Sequence, residues 1–175
     1  MQEWPKYHML MTLFLIFIAI SAGFTIFATD RDQRSLLYVT KPLTTSLIIL
    51  LALIQPAPVS DGYKALIIVG LLFSLGGDIA LMLPDDKFVE GLASFFVAHV
   101  FYILAFSTTG KHGLLAAMLV PLVLAGVGVL AIVWDQLGRL KAPVLAYVTV
   151  IILMAWLATT RWAGTDSGEI KDKAL

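Results

Sequence analysis

Six long apolar stretches constrain the fold of this 175-residue chain more than any other feature. They lie near residues 9–28, 38–55, 65–83, 90–108, 114–134 and 143–162. A helix rises about 1.5 Å per residue, so these lengths approach or reach the ~30 Å of a bilayer's hydrocarbon core. The sequence therefore predicts an all-α fold, a polytopic transmembrane helix bundle with about six spans. We expect a single integral-membrane domain over residues 1–175 that ends in a polar tail at 163–175.

The composition supports a membrane protein and excludes several other classes. Hydrophobic residues make up 59% of the chain and charged residues 14%, and the mean hydropathy is +0.91; soluble domains are about 25% charged. Twelve basic residues balance twelve acidic ones, so no charge excess favours a nucleic-acid partner. The chain has no cysteine, which excludes disulfides and thiol nucleophiles. Because no organelle-targeting signal is evident, we expect a bacterial inner (plasma) membrane location.

Asp78 is the only carboxylate in the interior of these apolar stretches. A charge at the centre of a bilayer costs about 2.5–3.5 kcal/mol on insertion scales, so another group must offset it. Ionisable residues inside membranes are usually functional. The alternative is a protonated aspartic acid that forms a hydrogen bond with a neighbouring helix.

Other polar side chains are expected near the same side of the membrane as Asp78. Lys41 opens the second predicted span, and Tyr147 lies about four residues into the sixth. His99 is placed deeper, roughly 12 Å along its helix, and Tyr102 shares its face one turn further on. A cavity that opens toward this side could expose these residues. Simpler alternatives are a His99 that forms a hydrogen bond with another helix and a Lys41 that reaches the interface.

The third stretch also has a face of small residues. Gly70, Ser74 and Asp78 recur every four residues, and Gly77 adjoins them. Small residues allow close approach of another helix, so this face predicts helix packing with Asp78 directed into the bundle. His99 is the only histidine within a stretch, which does not supply the three or four ligands of a zinc site. No metal and no cofactor are expected.

Three motifs occur in consecutive spans. They are Lys41-Pro42, then Gly76-Gly77-Asp78-Ile79-Ala80-Leu81-Met82-Leu83, then Phe95-Phe96-Val97-Ala98-His99-Val100-Phe101-Tyr102, with Phe88, Gly91 and Tyr147 adding to the pattern. From about residue 41 to 162, this combination resembles the YhhN-like (TMEM86) lysoplasmalogenase family.

The resemblance implies an integral-membrane hydrolase that cleaves the vinyl ether of a lysoplasmalogen and releases a fatty aldehyde and a glycerophospho-base. This reaction begins by protonation of an alkenyl carbon, for which Asp78 is the candidate general acid. His99 would orient water or relay the proton, and Lys41 would meet the substrate phosphate. Tyr102 and Tyr147 are candidate substrate-binding residues. The expected partner is a lipid in the bilayer, and a homo-oligomer is possible.

The chain departs from the family pattern in one respect. Family members look like eight-helix proteins whose later helices carry a Ser-Asp motif. The residues after Trp162 are polar, so a naturally short variant or a truncated coding sequence is expected. Asp166, which we expect in a loop, is not assigned to the catalytic role.

Two other functions remain open from the residues alone. A small proton-coupled transporter would use Asp78 as its proton site, although the first three and last three spans show no evident repeat. A structural membrane protein would use Asp78 and His99 as interhelical hydrogen-bonding groups. That last alternative predicts that Asp78→Asn is tolerated.

Overall fold

A computed structural model of the protein describes residues 4–55, 59–83, 87–108 and 116–172. Within these ranges the chain is helical and contains no β-strand. The elements are α1 (Trp4–Asp30), α2 (Arg34–Ile54), α3 (Asp61–Ala80), α4 (Phe88–Ser107), α5 (Ala116–Val133), short 3₁₀ turns at Trp134–Gln136 and Gly138–Leu140, and α6 (Lys141–Asp172). Among the described residues, six helical segments are long and apolar enough to cross a membrane. The predicted all-α, six-span fold is confirmed.

Large apolar side chains point outward along the helices. Ile26 of α1 is 71% exposed, and Leu124 and Ile132 of α5 are 66% and 79% exposed. Water would make such a surface unfavourable, whereas lipid tails solvate it well. These faces therefore fit contact with lipid.

Several helices extend beyond the predicted apolar stretches, and α2 and α6 show this most clearly. α2 begins at Arg34, so Lys41 lies two turns inside the helix, and Pro42 is accommodated within it. Proline removes one backbone hydrogen bond, a loss that transmembrane helices tolerate. α6 continues to Asp172, so Asp166 lies in a helix and the prediction of a loop there is wrong. Backbone hydrogen bonding carries this helix past the end of its apolar stretch. Residues 114, 115 and 173–175 of the predicted segments lie outside the described residues.

Backbone contacts divide the chain into two compact units. Unit 1 comprises Met1–Pro58 and Leu71–Phe95, and unit 2 comprises Val59–Gly70 and Phe96–Leu175. Helices α3 and α4 therefore each contribute one part to unit 1 and one part to unit 2.

In unit 1, a tight turn and a buried polar cluster join α1 to α2. Asp32 adopts φ = 49°, the left-handed conformation that often ends a helix, and the Gln33 amide donates to the Ala28 carbonyl at 2.8 Å. Deeper along the pair, the Ser21 hydroxyl lies 3.1 Å from the Thr40 carbonyl oxygen and 2.8 Å from the Thr44 hydroxyl. These contacts fix the face that α2 presents to its neighbours.

Glycines bring α3 and α4 close together in unit 1. A Cβ atom on Gly77 would lie 2.6 Å from the Phe95 ring, and one on Gly91 would lie 2.7 Å from the Leu81 side chain. The Ser94 hydroxyl also donates to the Phe73 carbonyl at 2.6 Å. Gly77, the residue before Asp78 on α3, therefore packs directly against α4.

In unit 2, α5 packs against α6, and cationic side chains lie over aromatic rings. A Cβ atom on Gly126 would lie 2.6 Å from Ile152. Lys141 Nζ lies 4.8 Å from the centre of the Trp134 ring. The Arg161 guanidinium lies 4.5 Å from the centre of the Tyr63 ring. Such amphipathic pairs are typical of helix ends at a membrane interface.

Candidate functional site

The charge of Asp78 has a partner in unit 1. Lys41 Nζ of α2 lies 3.5 Å from Asp78 Oδ1 of α3. The Lys41 side chain is 27% exposed and the Asp78 side chain 13% exposed, so both are largely withdrawn from the surface. Isolated charges at this depth would be unfavourable, and the ion pair offsets part of that cost for each.

Thr45 supplies a second contact to the same carboxylate. Its hydroxyl donates to Asp78 Oδ2 at 2.5 Å. Lys41 and Thr45 are four residues apart, so they lie on one face of α2 and approach both oxygen atoms of the carboxylate. Each carboxylate oxygen can accept more than one hydrogen bond, which leaves Asp78 able to engage a ligand as well.

This carboxylate opens into a small groove. The groove has a volume of about 220 Å³ and is lined by Ala22, Thr25 and Ile26 of α1, Lys41, Thr44 and Thr45 of α2, and Asp78. Its wall is mainly apolar, while the acid, the amine and the hydroxyl groups converge at one part of it. We call it the Asp78 groove. An apolar pocket with a few convergent polar groups is the usual form of a small-molecule site.

The buried polar cluster of α1 and α2 supports one wall of this groove. Thr44 lines the groove and also contacts Ser21, which is 6% exposed. Thr40, the residue before Lys41, is equally buried and its carbonyl accepts from Ser21. The rotation of α2 that directs Lys41 and Thr45 toward Asp78 is therefore held by buried hydrogen bonds.

His99 lies in an aromatic cluster in unit 2. Its ring centre is 5.9 Å from that of Tyr102 on the same helix, with the two rings 74° apart. It is 5.5 Å from the ring centre of Tyr147 on α6, at 88°. Both are edge-to-face arrangements, which aromatic rings favour at these separations. The two tyrosines thus fix the direction of the imidazole ring.

Gly70 of α3 makes room for this aromatic cluster. A Cβ atom at position 70 would overlap the Tyr102 ring. The small-residue face of α3 therefore accepts aromatic rings of α4 at two positions, Tyr102 at Gly70 in unit 2 and Phe95 at Gly77 in unit 1. The packing role predicted for this face is compatible with an acidic residue on it.

The five residues singled out from the sequence fall into two groups. Lys41 and Asp78 meet in unit 1, and His99, Tyr102 and Tyr147 meet in unit 2. Sequence reasoning missed Thr45, although its position one helical turn after Lys41 was a usable signal. Among the residues that the structure describes, no three His, Cys, Asp or Glu side chains are grouped as metal ligands would be.

Comparisons with known proteins identify the family. The sequence model of the YhhN family matches residues 36–173. The chain is similar to proteins named "Uncharacterized membrane protein YhhN" from Escherichia coli O6:H1, Escherichia coli O157:H7 and Shigella flexneri. Each is 30% identical over 147 residues, which is 84% of this chain and 70% of the relative. No solved structure matches the chain. The extent of the family match and the similarity to these relatives place this six-span membrane protein in the YhhN family.

Proposed function

We propose that this protein is a membrane-embedded hydrolase of the lysoplasmalogenase type, which cleaves the vinyl ether of a lysoplasmalogen-like lipid. The observation that carries the proposal is the Asp78 groove, where a largely buried carboxyl group contacts Lys41 and Thr45 beside an apolar wall. An amphipathic lipid with one reactive polar bond needs this combination of surfaces. We propose the inner membrane of a bacterium as its location.

Asp78 acts as the general acid in the first step. The carboxylate first takes up a proton from solvent. It then transfers this proton to the alkenyl carbon that does not carry the ether oxygen, and an oxocarbenium ion forms at the carbon that does. Asp78 is then a carboxylate with Lys41 at 3.5 Å and Thr45 at 2.5 Å. These partners stabilise the negative charge that develops as the proton leaves, and preorganised charge stabilisation of this kind lowers a barrier.

Water completes the reaction without a cofactor. A water molecule attacks the oxocarbenium carbon and returns a proton to the carboxylate. The resulting hemiacetal collapses into a fatty aldehyde and a glycerophospho-base, so one water is consumed and the acid is regenerated. The negative charge of Asp78 also stabilises the positively charged oxocarbenium ion. Positioned acid and base groups contribute about 10²–10⁴-fold to such reactions.

We propose that Lys41 acts on Asp78. Its ammonium group contacts Asp78, so we assign it to the acid rather than to the substrate phosphate. His99, Tyr102 and Tyr147 form a group of their own in unit 2 and are given no step at Asp78. The apolar wall formed by Ala22 and Ile26 would take the first part of the alkenyl chain.

The test is aldehyde release from a lysoplasmalogen by the purified full chain in detergent. We expect release by the native protein and a loss of about 10²-fold or more in Asp78→Asn, which is nearly isosteric but cannot donate a carboxylic proton. Asp61→Asn is the matched control, because Asp61 is an exposed acid in the first turn of the same helix. It should retain the native rate.

Two results would contradict these assignments. An Asp78→Asn protein as active as the native chain would contradict the assignment of the acid. A folded native protein that releases no aldehyde would contradict the hydrolase proposal. Proton-coupled uptake into vesicles that is lost in Asp78→Asn would then support the transporter alternative.

A further inference from the structure

A second groove in unit 1 lies near the N-terminus of α2. Its volume is about 330 Å³, and its lining includes Asp32 and Arg34, Leu37 and Tyr38 of α2, and Leu81 and Met82 after α3. We call it the Arg34 groove. It shares no lining residue with the Asp78 groove, and its polar part is larger.

One face of α2 connects the two grooves. Arg34, Tyr38, Lys41 and Thr45 follow one another at spacings of four, three and four residues, so they lie on the same side of the helix. Arg34 and Tyr38 line the Arg34 groove, and Lys41 and Thr45 line the Asp78 groove. Leu81 and Met82, which also line the Arg34 groove, come about one helical turn after Asp78 in the sequence. Arg34 therefore lies about 10 Å along the helix axis from Lys41.

Arg34 is available to an anion. It is paired only loosely with Asp32, at 3.8 Å, and the two side chains are 74% and 89% exposed. Exposed ion pairs of this kind contribute little free energy, so an incoming phosphate can replace Asp32 at small cost. Arginine also presents a planar fork of donors that matches phosphate oxygens, and the Tyr38 hydroxyl can add a further donor.

We propose that the Arg34 groove binds the phosphate of a lipid headgroup while the reactive ether lies at Asp78. This inference rests on the proposed function and adds the site that anchors the substrate. Lys41 is paired with Asp78, so the phosphate needs a different cation. Arg34, on the same face at the N-terminus of α2, provides it. The glycerol backbone and the length of the arginine side chain bridge the separation along α2.

Equilibrium binding tests this site without any hydrolysis. The full chain in nanodiscs is titrated with a tritiated saturated hexadecyl ether of glycerophosphoethanolamine, which has no vinyl ether to cleave, and with hexadecyl glycerol, which has no phosphate. Arg34→Gln should weaken binding of the phospholipid about tenfold or more, the loss of one charge-assisted contact, and leave the glycerol ether unchanged. Arg34→Lys should fall between the native protein and Arg34→Gln.

Arg31→Gln is the matched control, since Arg31 is an exposed arginine of the same turn that does not line the groove. It should bind both lipids as the native protein does. The proposal is overturned if Arg34→Gln retains native affinity for the phospholipid, or if Arg31→Gln loses as much as Arg34→Gln. Soluble glycerophosphoethanolamine should compete only at far higher concentration; equal competition would overturn the lipid assignment in favour of a soluble phosphate ester.

The two assays separate this inference from the proposed function, because the saturated ether can be bound but not cleaved. A failure of aldehyde release would therefore contradict the hydrolase proposal while leaving phosphate binding at Arg34 measurable.

Discussion

Lys41 and Asp78 lie on neighbouring helices with Nζ and Oδ1 3.5 Å apart, and both side chains are largely buried. This contact explains how a chain with few charges keeps an aspartate within an apolar span. The pair places an acid and an amine in contact between two apolar helices, and it fixes the position of the carboxyl group that the proposed reaction needs.

Lys41→Met leaves Asp78 without its cationic partner. The free energy of unfolding should fall, because removing one member of a buried pair leaves an uncompensated charge. The double variant Lys41→Met/Asp78→Asn should be less destabilised than the sum of the two single changes, with a coupling of about 0.5–3 kcal/mol. Unfolding of the four proteins in detergent measures this coupling. Strictly additive effects would mean that the two side chains do not interact.

Thr45→Val keeps the shape of the side chain but removes the hydroxyl that donates to Asp78 Oδ2. Hydrogen bonds to charged groups contribute about 1.5–3 kcal/mol, so aldehyde release should fall about tenfold or more. Thr45→Ser retains the donor and should restore most of the rate. Equal rates in the valine and serine variants would show that this hydrogen bond does not assist the acid.

Gly70→Ala places a methyl group where the Tyr102 ring lies. The ring or the helix must shift, and overpacking of this kind costs about 1–3 kcal/mol. Gly128→Ala in α5 is the matched control, because no atom lies within 4 Å of a Cβ at that position. Thermal unfolding should separate the two variants clearly. Similar unfolding temperatures would place the Tyr102 ring elsewhere.

Tyr147→Ala removes one of the two rings that hold His99. An aromatic pair contributes about 0.5–1.5 kcal/mol beyond the area it buries, so the imidazole loses a defined direction. The free energy of unfolding in detergent should therefore fall in Tyr147→Ala. Tyr147→Phe keeps the ring and should retain most of the stability. A phenylalanine variant as destabilised as the alanine variant would assign the effect to the hydroxyl group instead.

The fold was predictable because its signal is local. A membrane span requires a continuous apolar run of known length, and six such runs predicted the six helices that the structure contains. Helix ends were less predictable. α2 starts at Arg34 and passes through Pro42, and α6 continues through Asp166, because helices can extend beyond the apolar part of a span.

The polar residues of the candidate site can be named from the sequence, but their contacts cannot. Asp78 is evident as a charge in an apolar setting, and Lys41, His99, Tyr102 and Tyr147 are named from their positions along their helices. The direct pairing of Lys41 with Asp78 depends on how α2 is rotated against α3, and buried contacts of Ser21 help to set that rotation. A single sequence carries no signal for the rotation of one helix relative to another, so the pair and the role of Thr45 required coordinates.

The most direct test of proton delivery by Asp78 is the isotopic composition of the aldehyde formed in deuterated water. Protonation of the alkenyl carbon must place one solvent deuterium on the carbon next to the aldehyde group. We predict a singly deuterated aldehyde from the native protein, formed at a rate that collapses in Asp78→Asn. Aldehyde without deuterium, or a labelled product formed equally fast by Asp78→Asn, would contradict acid catalysis by Asp78.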